Sequence, residues 1–158
     1  MNDEEGAREV VRRVKFAPLG MRGVCRFVRA ARYSSMDRFA YFREANETLV
    51  VVQLEGVRGL SNLENIVKVE GIDVVFVGPY DLSQSLGVPG EIEHPEVEKK
   101  MKEIARKSLQ RNIAVGTFVD TLENAMKWRE AGVRYIAYSV DAGIFQDACR
   151  DLVQKLRA

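Results

Sequence analysis

Two short apolar runs in the middle of the chain constrain what it can fold into. Residues 49–54 and residues 72–77 are rich in β-branched side chains, and neither run alternates apolar with polar residues. Such runs are typical of strands that are buried on both faces of a parallel sheet. Between the runs, apolar residues recur at helical spacing, at Leu60, Leu63, Ile66, Val67 and Val69. The stretch therefore predicts a strand–helix–strand unit of an α/β fold.

A carboxylate follows each of the two runs. Glu55 comes directly after the first run, and Asp81 lies four residues after the second. The C-terminal ends of parallel strands form one rim of an α/β fold, and ligands bind at that rim. Two carboxylates at the rim are suited to hold one divalent cation through hard oxygen ligands. The alternative for each carboxylate, taken alone, is a helix cap or a solvated loop residue.

The pattern of strand and helix continues to the end of the chain. Residues 78–81 are predicted to form a turn that opens into a short helix over residues 82–86. Two more apolar strands are expected, at residues 112–119 and residues 133–140. The helices between and after them are predicted over residues 95–111, 121–131 and 141–156. Right-handed crossovers arrange strands connected in this way in parallel.

The sequence around the two carboxylates resembles a known family. The segments VVQLEG, VEGIDVVFVGPYDLSQSLGVPG and HPEV are similar to those of the HpcH/HpaI aldolase family, the class II, metal-dependent pyruvate aldolases. The resemblance extends from about residue 4 to the C-terminus. It implies a single domain over residues 1–158, which is the C-terminal part of a TIM (β/α)8 barrel. About the last five β/α units are expected, and residues 15–18 are expected to form the first of their strands.

The resemblance also implies a reaction and the residues that carry it. Glu55 and Asp81 are expected to hold Mg²⁺, Mn²⁺ or Co²⁺, which stabilises the enolate of pyruvate. Gln53 points the same way as Glu55 in a strand and is expected to act near the reacting atoms. Gly78, Tyr80 and Asp81 are expected to bind the 2-oxoacid, whose carboxylate is received by backbone N–H groups. The implied activity is retro-aldol cleavage of a 4-hydroxy-2-oxoacid to pyruvate and an aldehyde.

The length of the chain leaves other functions open. A complete barrel needs roughly 200–250 residues, and this chain has 158. The family's catalytic His–Asp pair and its 2-oxoacid-binding Arg lie on the first three strands and have no counterpart here. The alternatives are a non-catalytic remnant that binds metal or 2-oxoacid, an oligomerisation fragment, and a citrate-lyase-like carbon–carbon lyase. Because an incomplete barrel leaves sheet edges unpaired, association with another copy or with a complementary barrel fragment is expected.

The remaining sequence features argue mainly by exclusion. A net charge of +1 and the lack of a recognised motif argue against nucleic acid as a partner. No apolar run approaches ~18 residues, so no membrane association is expected and the predicted location is the cytoplasm. His94, the only histidine, lies at a helix entry and is expected to cap that helix rather than act as a base. Asp120, at the end of a strand, is a candidate pocket residue, and Arg22 matches a P-x-G-x-R-G segment of the aldolases.

Overall fold

The structure, a computed structural model, describes residues 1–157, and within them the strands form one sheet. The strands are β1 (Val51–Gln53), β2 (Val74–Val77), β3 (Ala114–Val119) and β4 (Tyr135–Tyr138). Their order in the sheet is the order in the sequence, and all three pairings are parallel. Successive parallel strands in sequence order form an arc of a β/α barrel. The predicted α/β class with parallel strands is therefore confirmed.

Helices precede, connect and follow these strands in the described part of the chain. They are α1 (Glu4–Val14), α2 (Arg38–Asn46), α3 (Val57–Ser61), α4 (Leu63–Ile66), α5 (Pro79–Ser85), α6 (Pro95–Leu109), α7 (Leu122–Glu130) and α8 (Asp141–Arg157). A 3₁₀ segment, Arg29–Ser34, lies between α1 and α2. The single helix expected between β1 and β2 is divided into α3 and α4, which meet at Asn62. Helices α6, α7 and α8 lie close to their predicted positions.

The two faces of the sheet differ in what covers them. On one face, strand residues are buried against the helices and form the main core, among them Val52, Leu54, Val75, Val77, Val115 and Val119. On the other face, Gln53, Phe76, Gly116 and Tyr135 lie in one row across the four strands. This second face corresponds to the barrel interior, and 49 % of Tyr135 is exposed on it. The structure thus presents a barrel-lining face that is open.

Residues 15–18 do not form the strand that the sequence predicts. The backbone N–H of Phe16 donates to Oδ1 of Asn46 at 2.6 Å, and Nδ2 of Asn46 donates back to the Phe16 carbonyl at 3.3 Å. Nζ of Lys15 donates to the carbonyls of Asn46 and Thr48. Side chains and the N–H groups of the following turn therefore satisfy the backbone of Phe16 without a ladder to β1. Four strands of the described chain share the sheet, and the strand expected at residues 15–18 was wrong.

The C-terminal helix α8 stands apart from the core. None of its residues is buried. Its apolar residues are exposed, including Phe145 at 72 %, Leu152 at 59 % and Leu156 at 86 %. Over residues 1–157, the helices are either too short or too polar to cross a membrane.

Candidate metal-binding site

Glu55 lies where β1 ends, beside β2. The backbone N–H of Leu54 donates to the carbonyl of Phe76 at 2.8 Å, which continues the parallel ladder by one residue beyond β1. Side chains alternate along a strand, so Gln53 and Glu55 share the open face of the sheet. Nε2 of Gln53 donates a hydrogen bond of 2.5 Å to Oε2 of Glu55. The amide of Gln53 thereby fixes one oxygen of the carboxylate, as the alternation predicts.

Gly78 provides the space that this carboxylate occupies. A methyl group built at Gly78 would overlap Oε2 of Glu55 and would lie 3.1 Å from Nε2 of Gln53. The Glu55 carboxylate therefore rests against the backbone at the point where β2 passes into α5. A side chain of any size at position 78 would have to displace it.

Asp81 lies in the first turn of α5. This helix begins earlier than the sequence predicted. α5 starts at Pro79, directly after Gly78, whereas the sequence indicated a turn over residues 78–81 and a helix from residue 82. Proline is favourable at this first position because it has no N–H to leave unpaired. The first helical bond is donated by Leu82 to the Gly78 carbonyl at 2.9 Å. The backbone N–H groups of Tyr80 and Asp81 precede this bond and so lack helical partners.

Two serines fasten α5 to its surroundings. Oγ of Ser85 donates to the backbone carbonyl of Glu55 at 3.0 Å, which ties the end of β1 to this helix. Oγ of Ser83 is fully buried; it donates to the Tyr80 carbonyl and accepts from the N–H of Gly90. The sequence analysis did not find this role of the two serines. The sequence signal that could have indicated it is the position of both serines in the short helix, two residues apart.

Tyr80 forms a further contact at the same rim. Its hydroxyl donates a hydrogen bond to Oδ2 of Asp120, the residue that follows β3. Its ring centroid lies 6.4 Å from that of Phe118. The hydrogen bond to Asp120, together with partial burial, raises the pKa of the Tyr80 phenol. The structure thus brings the candidate pocket residue Asp120 to the residue that precedes Asp81.

The arrangement of Glu55 and Asp81 suits a divalent cation whose remaining ligands are waters or substrate oxygens. In residues 1–157 there is no group of three or more His, Cys, Asp or Glu residues placed to hold a metal ion. Mg²⁺ is commonly bound by one or two carboxylates and retains several waters or substrate oxygens. Glu55 lies beside Gly78, and Asp81 follows three residues later with an exposed side chain. The donor set of two hard carboxylates fits such an ion.

Two other candidate residues lie in structural positions. His94 caps α6: its Nδ1 accepts from the backbone N–H of Glu96 at 3.2 Å. The prediction that His94 is a cap is confirmed. Arg22 places its guanidinium 4.9 Å from the ring centroid of Phe16, in a small aromatic cluster with Tyr41. Its guanidinium therefore packs on an aromatic ring.

Comparison with known proteins identifies the relatives of this chain. The 2-keto-3-deoxy-L-rhamnonate aldolase of Salmonella typhi is 40 % identical over 146 residues, which cover 91 % of this chain and 54 % of that protein. The chain therefore spans about half the length of the curated relatives it matches.

Solved structures agree in fold. An HpcH/HpaI aldolase/citrate lyase family protein from Burkholderia cenocepacia J2315 superposes with a TM-score of 0.92 at 37 % identity, covering all of this chain and 63 % of that one. An HpcH/HpaI aldolase from Desulfitobacterium hafniense DCB-2 has a TM-score of 0.85 at 29 % identity and covers 99 % of this chain and 61 % of its own. The family model for HpcH/HpaI aldolase/citrate lyase matches residues 1–148. On this evidence, the chain belongs to the HpcH/HpaI aldolase/citrate lyase family.

Proposed function

We propose that this chain forms the metal- and 2-oxoacid-binding part of a carbon–carbon lyase. The reaction is retro-aldol cleavage of a 4-hydroxy-2-oxoacid to pyruvate and an aldehyde. The observation that carries the proposal is the position of the Glu55 carboxylate against Gly78, at the start of the helix that bears Asp81. Membership of the aldolase/citrate lyase family supports the same reaction class.

Glu55 and Asp81 are the residues that hold a divalent cation in this proposal, with Mg²⁺, Mn²⁺ and Co²⁺ as the candidates. When bound, the cation supplies positive charge that stabilises the negative charge developing on the ketone oxygen of the substrate. Gln53 orients the Glu55 carboxylate through its 2.5 Å hydrogen bond. Ser85 holds the backbone of Glu55. These contacts pre-organise the acidic side of the site before the cation and substrate arrive.

The substrate carboxylate is received at the start of α5. Backbone N–H groups at the first turn of a helix point outward without partners and favour negative charge. Those of Tyr80 and Asp81 are in this position, because Leu82 donates the first helical bond. The 2-oxoacid therefore lies between these N–H groups and the Glu55 carboxylate.

The general base that moves the substrate proton is assigned to a group outside the described residues. His94 is the only histidine of the sequence, and its Nδ1 is engaged in capping α6. We propose that the general base comes from strands that complete the barrel, whichever chain supplies them. The open face of the sheet, with Val51 at 43 % and Tyr135 at 49 % exposure, supports such an addition.

Association is part of the proposed function. The apolar side of α8 is exposed along its length, and exposed apolar patches of this kind mark interaction surfaces. We propose that α8 contributes to a homo-oligomer. A complementary barrel segment is the alternative partner for the open sheet.

The test combines metal binding with enolisation. Mn²⁺ affinity is measured by electron paramagnetic resonance, and Mg²⁺-dependent exchange of the pyruvate methyl protons for deuterium is measured by proton NMR. We expect Glu55→Ala and Asp81→Ala each to weaken Mn²⁺ binding by about tenfold or more. The matched control Glu91→Ala removes an exposed carboxylate of the loop before α6 and should change nothing.

The two measurements separate the candidate functions. Metal binding with exchange that depends on Glu55 supports the lyase. Because the base is proposed to come from strands that complete the barrel, metal binding without exchange is expected of this chain alone, and it favours the non-catalytic binding protein only when those strands are present. Mn²⁺ affinity that Glu55→Ala and Asp81→Ala leave unchanged would remove the basis for the proposed site.

A further inference from the structure

The contact between Tyr80 and Asp120 connects the start of α5 with the end of β3. We propose that this pair restricts the aldehyde-derived half of the substrate to uncharged groups, hydroxylated ones included, and excludes aldehydes that carry a carboxylate. The inference rests on the proposed function, since it concerns the groups of the substrate that extend beyond the 2-oxoacid end.

The register of the sheet places Asp120 on the side of the site opposite Glu55. Phe76 pairs with Gly116, so Gly78 is level with Phe118, and Asp120 lies one step nearer the rim. Two residues of strand span about 6–7 Å, and β1 and β3 are separated by two strand spacings, or about 10 Å. A ligand anchored between Glu55 and the start of α5 therefore meets Tyr80 and Asp120 when it extends across the sheet toward β3.

The charge of Asp120 is not balanced by a cation. None of the ion pairs within residues 1–157 includes it. Its partner is the uncharged hydroxyl of Tyr80, which donates a hydrogen bond to it. The side chain is exposed at the rim. A ligand carboxylate placed here therefore meets an uncompensated negative charge.

The same pair accepts neutral groups. An ionised carboxylate has about four acceptor positions, and the Tyr80 hydroxyl uses one of them. Hydroxyl groups of an aldehyde can donate to the remaining acceptor positions of the Asp120 carboxylate. The Tyr80 ring, 6.4 Å from Phe118, adds an apolar wall for carbon chains. The hydrogen bond between Tyr80 and Asp120 holds both elements of this subsite in place.

Two 2-oxoacids of equal length test the inference without requiring turnover. 2-Oxopentanoate ends in a methyl group and 2-oxoglutarate ends in a carboxylate, while pyruvate lacks the extension altogether. Their affinities for the chain in the presence of Mg²⁺ are measured by isothermal titration calorimetry. We expect the native chain to bind 2-oxoglutarate about fivefold more weakly than 2-oxopentanoate, and Asp120→Asn to reduce this ratio to about twofold or less.

Two further variants control for the loss of structure. Tyr80→Phe keeps the charge of Asp120 and should keep the preference for 2-oxopentanoate. Glu123→Gln removes an exposed carboxylate of α7, three residues beyond Asp120, and should leave the fivefold ratio unchanged. Pyruvate affinity should be the same in Asp120→Asn and Glu123→Gln as in the native chain, because pyruvate does not reach Asp120.

The outcomes distinguish this inference from the proposed function. If pyruvate binds but Asp120→Asn leaves the ratio of the two longer acids unchanged, the selectivity assigned to Asp120 is wrong and the proposed function stands. A native chain that shows no preference between the two acids also overturns the inference. If pyruvate itself fails to bind, the proposed function fails and takes the inference with it.

Discussion

The carboxylate of Glu55 lies against the backbone of Gly78, where any Cβ atom would overlap its Oε2 oxygen. This single relationship links the end of β1 to the start of α5 and so places the two candidate metal ligands at one rim. Gly78 has a backbone φ of −86°, which any residue adopts. Glycine is needed here for the close approach of a side chain and not for an unusual backbone conformation.

Gly78→Ala is expected to weaken metal binding. The added methyl group forces the Glu55 carboxylate away from its hydrogen bond with Gln53. Displacing a metal ligand or its support typically costs about 10–100-fold in metal affinity. Mn²⁺ titration followed by electron paramagnetic resonance measures the change. The control is Gly56→Ala, where the methyl group meets nothing within 4 Å. Equal Mn²⁺ affinity in both variants would show that the Glu55–Gly78 contact is irrelevant to the site.

Asn46→Ala is expected to destabilise the fold, because Asn46 replaces a strand partner for Phe16. The substitution leaves the backbone N–H of Phe16, a residue that is only 4 % exposed, without a partner. The Phe16 carbonyl still accepts from the backbone N–H groups of Leu19 and Gly20. An unsatisfied buried polar group costs about 1–3 kcal/mol. Urea unfolding followed by circular dichroism measures the free energy of unfolding. Asn65→Ala, on the exposed side of α4, is the control and should change that free energy by less than about 0.5 kcal/mol.

The wrong prediction of a strand at residues 15–18 shows a limit of sequence reasoning. Its local pattern is that of a short strand, but whether backbone groups find a ladder depends on Asn46, about 30 residues away. The apolar runs of β1 and β2 are different: their β-branched residues mark them locally as strands, so both were predictable. Burial on both faces was expected of them, but one face of β1 is exposed at Val51 and Gln53. If Asn46→Ala leaves the free energy of unfolding unchanged, this explanation of the missing strand is wrong.

The candidate site also contains one contact that the sequence predicts and one that it does not. Gln53 and Glu55 share a face by the alternation of a strand, which sequence alone predicts. The contact between Tyr80 and Asp120 joins residues 40 positions apart on neighbouring elements, and no local pattern encodes it. The start of α5 was placed three residues late because Gly78–Pro79 indicated a turn, although proline also suits the first position of a helix.

The ion pair between Glu98 and Lys127 is expected to make stability depend on pH. Lys127 donates a hydrogen bond to Glu98, and this bond lowers the pKa of the Glu98 carboxyl below its ordinary value of 4.5. A group whose pKa is lower in the folded state stabilises the fold above its unfolded pKa, and this contribution is lost as pH falls through the folded pKa.

We therefore expect Glu98→Gln to lower the free energy of unfolding by about 0.5–1 kcal/mol at pH 7, since the pair is partly exposed. The difference from the native chain should disappear as the pH falls through the lowered pKa of Glu98 in the folded state. Urea unfolding at several pH values measures it. Asp151→Asn breaks a more exposed pair with Lys155 on α8 and should cause little change at any pH. A deficit of Glu98→Gln that persists at low pH would point to lost packing instead of lost charge.

Disrupting the exposed face of α8 is expected to prevent the proposed homo-oligomer from forming without unfolding the chain. Phe145, Leu152 and Leu156 recur at helical spacing on one side of α8 and are 72 %, 59 % and 86 % exposed. Because they are not buried within the chain, Phe145→Lys with Leu152→Lys should change the free energy of unfolding of the monomer by less than about 0.5 kcal/mol. Light scattering coupled to size-exclusion chromatography should show an oligomer for the native chain and a monomer for this double variant. Gln146→Lys with Gln154→Lys adds the same charge to the polar side of α8 and should leave the oligomer intact. A native chain that is monomeric at every concentration, or a double variant that stays oligomeric, would show that α8 does not hold the subunits together.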